Sequence, residues 1–211
     1  MFQSTLIMNQ KHEEDLSHIR SMMERSSRFI SLSGLSGVFA GLSALIGGLY
    51  VYQLFEKNGI NYFEGKDKEF SMSLISELIF SGAVIFAFAL TFGILFTVRK
   101  SKKYNLPIWT STTKNMLLNL TIPLAVGGVF CLALLFHHMY VLIAPATLMF
   151  YGLALVNAEK YTFSDIKYLG YCQLILGCIS VFYLGYGLVF WILGFGILHI
   201  LYGLVMFKKY K

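Results

Sequence analysis

Residues 168–207 read YLGYCQLILGCISVFYLGYGLVFWILGFGILHILYGLVMF, about forty residues without an Asp, Glu, Lys or Arg. A helix that crosses the hydrocarbon core of a bilayer needs about twenty apolar residues. The run is therefore long enough for two crossings if it contains a turn, and Gly185-Tyr186-Gly187 supplies turn-forming residues near its middle. This stretch predicts two membrane-spanning helices joined by a tight hairpin.

The same apolar character extends over most of the chain. Of its 211 residues 56% are hydrophobic and only 13% are charged, whereas ordinary globular domains carry about 25% charged residues. Residues 28–211 are predicted to form an all-α integral membrane domain, a bundle of six transmembrane helices, which excludes a soluble enzyme domain. The predicted spans are residues 29–54, 72–97, 115–137, 139–157, 168–186 and 188–207.

The distribution of positive charge predicts the orientation of the chain. Fourteen of the 17 Lys and Arg residues fall on one side of the six spans. They are Lys11, Arg20, Arg25, Arg28, Arg99, Lys100, Lys102, Lys103, Lys114, Lys160, Lys167, Lys208, Lys209 and Lys211. Since Lys and Arg concentrate in cytoplasmic loops, we expect both termini in the cytoplasm, with a bacterial inner membrane as the location. The net charge of +6 then reflects topology, and the expected partner is the lipid bilayer, not a nucleic acid.

Residues 1–27 precede the first span and read as a cytoplasmic amphipathic helix. Leu16, Ile19 and Met23 recur at helical spacing among polar residues. A helix of this kind is typical of a segment that lies on a membrane surface or docks on a partner.

Small residues line one face of the first span and recur in the sixth. They are Gly34, Gly37, Gly41 and Gly48 in the first span, and Gly196 and Gly203 in the sixth. In a membrane, small residues let helix backbones approach closely. We expect this face to pack inside the bundle; the alternative is a contact with a second copy or another membrane protein.

Three polar side chains are predicted at similar depth in the cytoplasmic half of the bundle. Gln173 and His199 each lie 13 residues from Tyr186, the apex of the last hairpin, and Ser36 lies near the cytoplasmic end of the first span. A hydrogen-bonded histidine could tie three helices together here. If the protein is an enzyme, His199 is the candidate acid or base and Ser36 the assisting residue.

A second group is predicted at the opposite, outer side. Glu77 lies about five residues into the second span, and His137 and His138 end the third. A carboxylate and two imidazoles could bind a divalent metal ion or relay protons. The alternative is that these side chains form hydrogen bonds at a hydrated end of the helix bundle. No other cofactor is predicted.

These groups leave three functions open. The first is binding or translocation of a small molecule, an ion or protons within the bundle, through Glu77, His137, His138, His199 and Gln173. The second is a non-catalytic membrane sensor or assembly subunit. The third is a membrane-embedded enzyme that uses His199 on a lipid or apolar substrate.

Overall fold

Every regular element in the described part of the chain is helical. The computed structural model describes residues 33–60 and 70–210, so the amphipathic helix predicted in residues 1–27 lies outside the described residues. The first five helices are α1 (Gly34–Lys57), α2 (Met72–Lys103), α3 (Ser111–Phe136), α4 (Ile143–Ala158) and α5 (Ile166–Phe182). The last helix, Leu184–Lys209, contains α6 (Gly187–Trp191), a π-helical segment (Ile192–Leu198) and α7 (His199–Lys209).

The lengths of these helices confirm the coarse fold prediction. Five of the described helices are long and apolar enough to cross a membrane, and α5, with 17 residues, is a shorter apolar helix. The largest difference from the predicted bounds is in α2, which ends at Lys103 instead of residue 97. Hydropathy marks the end of an apolar run, but the helix continues through the following basic residues because they are good helix formers.

Local sequence explains where several helices begin. The hydroxyls of Ser71 and Thr110 accept hydrogen bonds from the backbone N–H groups of Leu74 and Thr113, at the starts of α2 and α3. Pro145 is the third residue of α4, where the missing N–H costs no intrahelical hydrogen bond.

The two tight turns are built differently. Between α3 and α4, His138 adopts a left-handed backbone with φ of 59°. Between α5 and α6, the chain turns through a 3₁₀ turn at Leu184–Tyr186. Gly187 there has an ordinary right-handed helical backbone, so the glycines predicted to supply this turn do not use a left-handed conformation.

The last helix connects two groups of helices. α1 packs between α2 and the last helix, whereas α4 packs between α3 and α5. The first part of the last helix contacts α4 and α5, and the second part contacts α1. Although α5 and the last helix are joined by a tight turn, α5 packs chiefly against α4.

The glycines of α1 and the last helix allow these two helices to approach closely. A Cβ added to Gly34 would lie 2.2 Å from the backbone nitrogen of Phe207, and one added to Gly203 would lie 2.5 Å from that of Val38. The small-residue face of α1 is therefore covered by the last helix of the same chain. The residues of this contact include all six predicted packing glycines: Gly34, Gly37, Gly41, Gly48, Gly196 and Gly203.

A polar cluster joins the start of α5 to the end of α7. The carboxylate of Asp165 accepts hydrogen bonds from Lys209 Nζ at 2.8 Å and from the Tyr210 hydroxyl at 2.7 Å. Lys100 Nζ donates to the backbone carbonyl of Tyr210 at 3.3 Å. Burial alone would raise the pKa of the Asp165 carboxyl, but the hydrogen bonds from Lys209 and Tyr210 and the nearby lysine charges hold this pKa below its ordinary value.

Candidate binding site beside His199

His199 is the first residue of α7 and lies at the centre of a buried hydrogen-bond network. Its side chain is 6% exposed. Nδ1 lies 2.9 Å from the carbonyl oxygen of Gly194, and Nε2 lies 2.8 Å from the hydroxyl oxygen of Tyr151 on α4. The ring thus connects the last helix to α4.

The partners of His199 decide its tautomer. The Gly194 carbonyl can only accept a hydrogen bond, so Nδ1 of a neutral ring must carry the proton. Nε2 is then an acceptor, and the Tyr151 hydroxyl donates to it. The proton of Tyr151 is therefore engaged by His199, while its oxygen keeps acceptor capacity towards other groups.

Gln173 on α5 completes the network and is fully buried. Its Nε2 donates to the Gly194 carbonyl at 2.8 Å. The same nitrogen lies 3.4 Å from Nδ1 of His199, but both atoms are donors in the assigned tautomer, so this contact is not a hydrogen bond. The carbonyl of Gly194 is thus the shared acceptor of two side chains from two helices.

The π-helical segment explains why Gly194 can serve this role. Gly194 and His199 are five residues apart, which is one π-helical turn, so the His199 ring can fold back onto the Gly194 carbonyl. A Cβ on Gly194 would lie 2.5 Å from both Gln173 Oε1 and Leu148 Cδ2. Glycine is therefore the residue that leaves room for Gln173. The Oε1 atom of Gln173 is buried and has no hydrogen-bond partner among the described residues.

Aromatic rings hold the imidazole in place on two sides. The centroid of the His199 ring lies 5.3 Å from that of Tyr151 and 5.8 Å from that of Phe195, with both pairs stacked. The ring is thus fixed by packing as well as by hydrogen bonds.

A cavity of about 160 Å³ adjoins His199 and Tyr151. Ser36 lies on its wall, but its hydroxyl donates to the backbone carbonyl of Ser33. The cavity is bounded by α1, α2, α4, α5 and α7. Its lining residues are Ser33, Gly34, Ser36, Gly37, Ala40, Ala89, Gly93, Tyr151, Leu155, Ile166, Leu169, His199, Tyr202 and Met206.

The second predicted group does not come together as the His199 network does. The side chains of Glu77, His137 and His138 are exposed, and among the described residues no three His, Cys, Asp or Glu side chains form a group that could hold a metal ion. The structure therefore does not bring these three predicted residues together. The reason lies in their neighbours: α2 packs chiefly on α1, while Nδ1 of His138 is hydrogen-bonded to the Tyr140 hydroxyl.

Sequence reasoning placed His199 and Gln173 at one depth, and the structure brings them together. It missed Tyr151, Gly194 and Tyr202. Tyr151 is one of 13 tyrosines, and nothing in its local sequence distinguishes it. The glycine-rich stretch around Gly194 is visible in sequence, but its π-helical geometry is not.

Comparisons with known proteins add no further constraint. No protein-family model, no curated protein and no solved structure matches this chain. The site is therefore interpreted from its own geometry.

Proposed function

We propose that this protein is a polytopic integral membrane protein that binds a small molecule in the cavity beside His199 and Tyr151. In the proposed topology, α5 crosses the membrane together with the five longer helices, and both termini lie on the cytoplasmic side of a bacterial inner membrane. The bias of fourteen to three in Lys and Arg supports this orientation. A 17-residue helix is at the lower limit of what spans a bilayer.

The observation that carries the binding proposal is the combination of free volume with a fixed polar wall. Roughly 150 Å³ of apolar cavity is enough to hold benzene, and this cavity has about the same volume. His199 and Tyr151 are held by hydrogen bonds and stacking before any ligand arrives, so little ordering of these side chains opposes binding.

Binding without translocation is the version that the geometry favours. Glu77, the carboxylate on which a transport path would depend, does not line the cavity. A bound molecule would touch both α1 and α7, whose backbones are in direct contact at Gly34 and Gly203. This arrangement also suits a sensor, in which binding alters the packing of α1. A homo-oligomer or membrane partner would have to use another face, because the small-residue face of α1 is covered.

The enzymatic hypothesis receives less support from the same atoms. The Ser36 hydroxyl donates to Ser33, and Nε2 of His199 is occupied by Tyr151. A serine activated by a histidine requires a hydrogen bond between the two.

Two glycines on α2 allow a matched test. A Cβ on Gly93 meets no heavy atom within 4 Å, although Gly93 lines the cavity. Gly82 has equally open surroundings, but it lies outside the cavity lining. Gly93→Phe should therefore fill the cavity without disturbing the fold, and Gly82→Phe should leave the cavity open.

The measurement is mass spectrometry of small molecules that remain with each purified variant in lipid nanodiscs. We expect the wild type and Gly82→Phe to retain a molecule that Gly93→Phe has lost. Identical small-molecule content in all three proteins would contradict binding in this cavity.

A further inference from the structure

We infer that the ligand of this cavity is an uncharged, lipid-soluble molecule with a hydroxyl or carbonyl oxygen, and that it enters sideways from the bilayer along the flank of α2 that faces α4 and α5. This inference rests on the binding function proposed above. Three features of the cavity support it. The lining has no charged side chains among its described residues, some of its hydroxyl groups can still form hydrogen bonds with a ligand, and small residues of α2 bound the cavity on one side.

The lining excludes a charged ligand. Its described residues include no Asp, Glu, Lys or Arg, and their polar groups are hydroxyls and the imidazole of His199. A neutral His199 ring finds a partner for each nitrogen, since Nδ1–H donates to the Gly194 carbonyl and Nε2 accepts from the Tyr151 hydroxyl. An ion placed here would lose its hydration without gaining a counter-charge, which is strongly unfavourable.

The hydrogen bonds within the lining indicate which group on the ligand is recognised. The protons of Ser36 and Tyr151 are already donated to Ser33 and His199. No hydrogen bond is found between the Tyr202 hydroxyl and another described residue, so Tyr202 can donate to a ligand oxygen. The Tyr151 oxygen, whose lone pairs remain, can accept from a ligand hydroxyl. A ligand hydroxyl fits both groups, whereas a ligand carbonyl oxygen fits the Tyr202 donor alone.

The route of access follows from α2. Gly93 and Ala89 bound the cavity on the side of α2, and beside Gly93 there is a gap where an added Cβ would meet no heavy atom within 4 Å. Phe39 of α1 packs on Phe92 and Phe96 of α2, with ring centroids 5.1 and 5.0 Å apart, which closes the contact between α1 and α2. Because α2 packs chiefly on α1, the gap beside Gly93 lies on the flank of α2 that faces α4 and α5 across the cavity. Most of the apolar surface of α2 is exposed, as expected for a helix that faces lipid. A molecule dissolved in the bilayer would therefore reach the gap directly.

The test uses two photoreactive compounds that differ in charge. Hexadecanol and hexadecyl sulfate, each with a diazirine next to the polar end so that this end can enter the cavity while the rest of the chain stays in the bilayer, are added to the full chain in phosphatidylcholine nanodiscs and irradiated. Labelled peptides are then located by mass spectrometry. We expect hexadecanol to label residues of the cavity lining, and hexadecyl sulfate to label them at least tenfold less.

Variants separate access from recognition. Gly93→Phe should reduce cavity labelling by hexadecanol at least tenfold, whereas Gly82→Phe should leave it unchanged. Tyr202→Phe removes only a hydroxyl, so it should fold normally and weaken saturable labelling several-fold. Thermal unfolding of each variant identifies any that has lost its fold. If Gly93→Phe does not fold, the labelling of Tyr202→Phe by hexadecanol decides whether the cavity recognises the ligand oxygen.

The outcomes distinguish this inference from the function on which it rests. Equal cavity labelling by the sulfate, or full labelling in a folded Gly93→Phe, would overturn the inference about class and access while leaving cavity binding intact. If neither compound labels the cavity and no small molecule co-purifies with the wild type, both the inference and the proposed binding function fail.

Discussion

The cluster around His199 and the predicted group around Glu77 are built from similar residue types and differ in what surrounds them. His199 is 6% exposed and bonded through both ring nitrogens to groups on two helices. Glu77, His137 and His138 are exposed, and the three do not form a metal-binding group. The comparison teaches that a polar residue in an apolar run becomes part of a site only when several neighbouring helices supply its partners.

The first way to test this comparison is to disturb the backbone at Gly194, on which the His199 network depends. Gly194→Ala places a Cβ 2.5 Å from Gln173 Oε1 and Leu148 Cδ2. Overpacking of this kind costs about 1–3 kcal/mol, and we expect a loss of unfolding free energy near the upper end because Gln173 must also leave its acceptor. Unfolding of the purified protein in mixed micelles with increasing denaturing detergent measures it.

Gly82→Ala is the control for that experiment. Its Cβ meets no atom within 4 Å, so the substitution should be neutral or stabilise the helix by up to about 1 kcal/mol. Equal destabilisation by the two substitutions would show that the close contacts at Gly194 do not matter.

The second test compares histidines directly. His199→Leu leaves the Tyr151 hydroxyl buried without its acceptor, and an unsatisfied buried polar group costs about 1–3 kcal/mol. His137→Leu removes an exposed side chain at a residue with an ordinary negative φ of −88°, for which changes within about 0.5 kcal/mol are usual.

The double variant Tyr151→Phe with His199→Leu sharpens this result. Removing both partners of the hydrogen bond should recover part of the stability lost in His199→Leu, because no unpaired hydroxyl then remains. Additive losses in the two single variants would mean that the pair is not coupled.

The third and smallest effect concerns the polar cluster at Asp165, which is more exposed than the network of His199. The pKa of the Asp165 carboxyl is lower in the folded protein than its ordinary value. Its contribution to stability is therefore fully present above the ordinary pKa of an Asp and is lost as the pH falls through the lowered, folded pKa. Unfolding measured between pH 6 and pH 3 should show a stability difference between wild type and Asp165→Asn that shrinks towards the acid end.

Glu159→Gln removes a carboxylate close to Asp165 in sequence and serves as the control. Glu159 lies 3.8 Å from Lys167 Nζ, a looser contact than the 2.8 Å between Asp165 and Lys209. We expect a smaller effect than for Asp165→Asn. A difference for Asp165→Asn that stays constant over this pH range would contradict the assigned role of the carboxylate.

Much of the fold and part of the site could be predicted from sequence. Hydropathy located the described helix ends to within about six residues, and counting from Tyr186 placed Gln173 and His199 at the same depth. Ser36, which was predicted near the same depth, lines the cavity, although its hydroxyl bonds to Ser33 and not to His199. Tyr151 could not be predicted, because the rotation of α4 about its axis is set by packing against α3 and α5.

The all-helical, apolar character of the described chain and the approximate bounds of its helices follow from the amino-acid sequence, because hydropathy and helix signals are local properties. Which polar residues meet depends on how the helices pack. The acceptor shared by Gln173 and His199 depends on a π-helical turn, and the partner of Nε2 depends on how α4 lies against the last helix. Hydrogen bonds and burial are properties of neighbouring helices, so identical residue types in two apolar runs can have opposite environments.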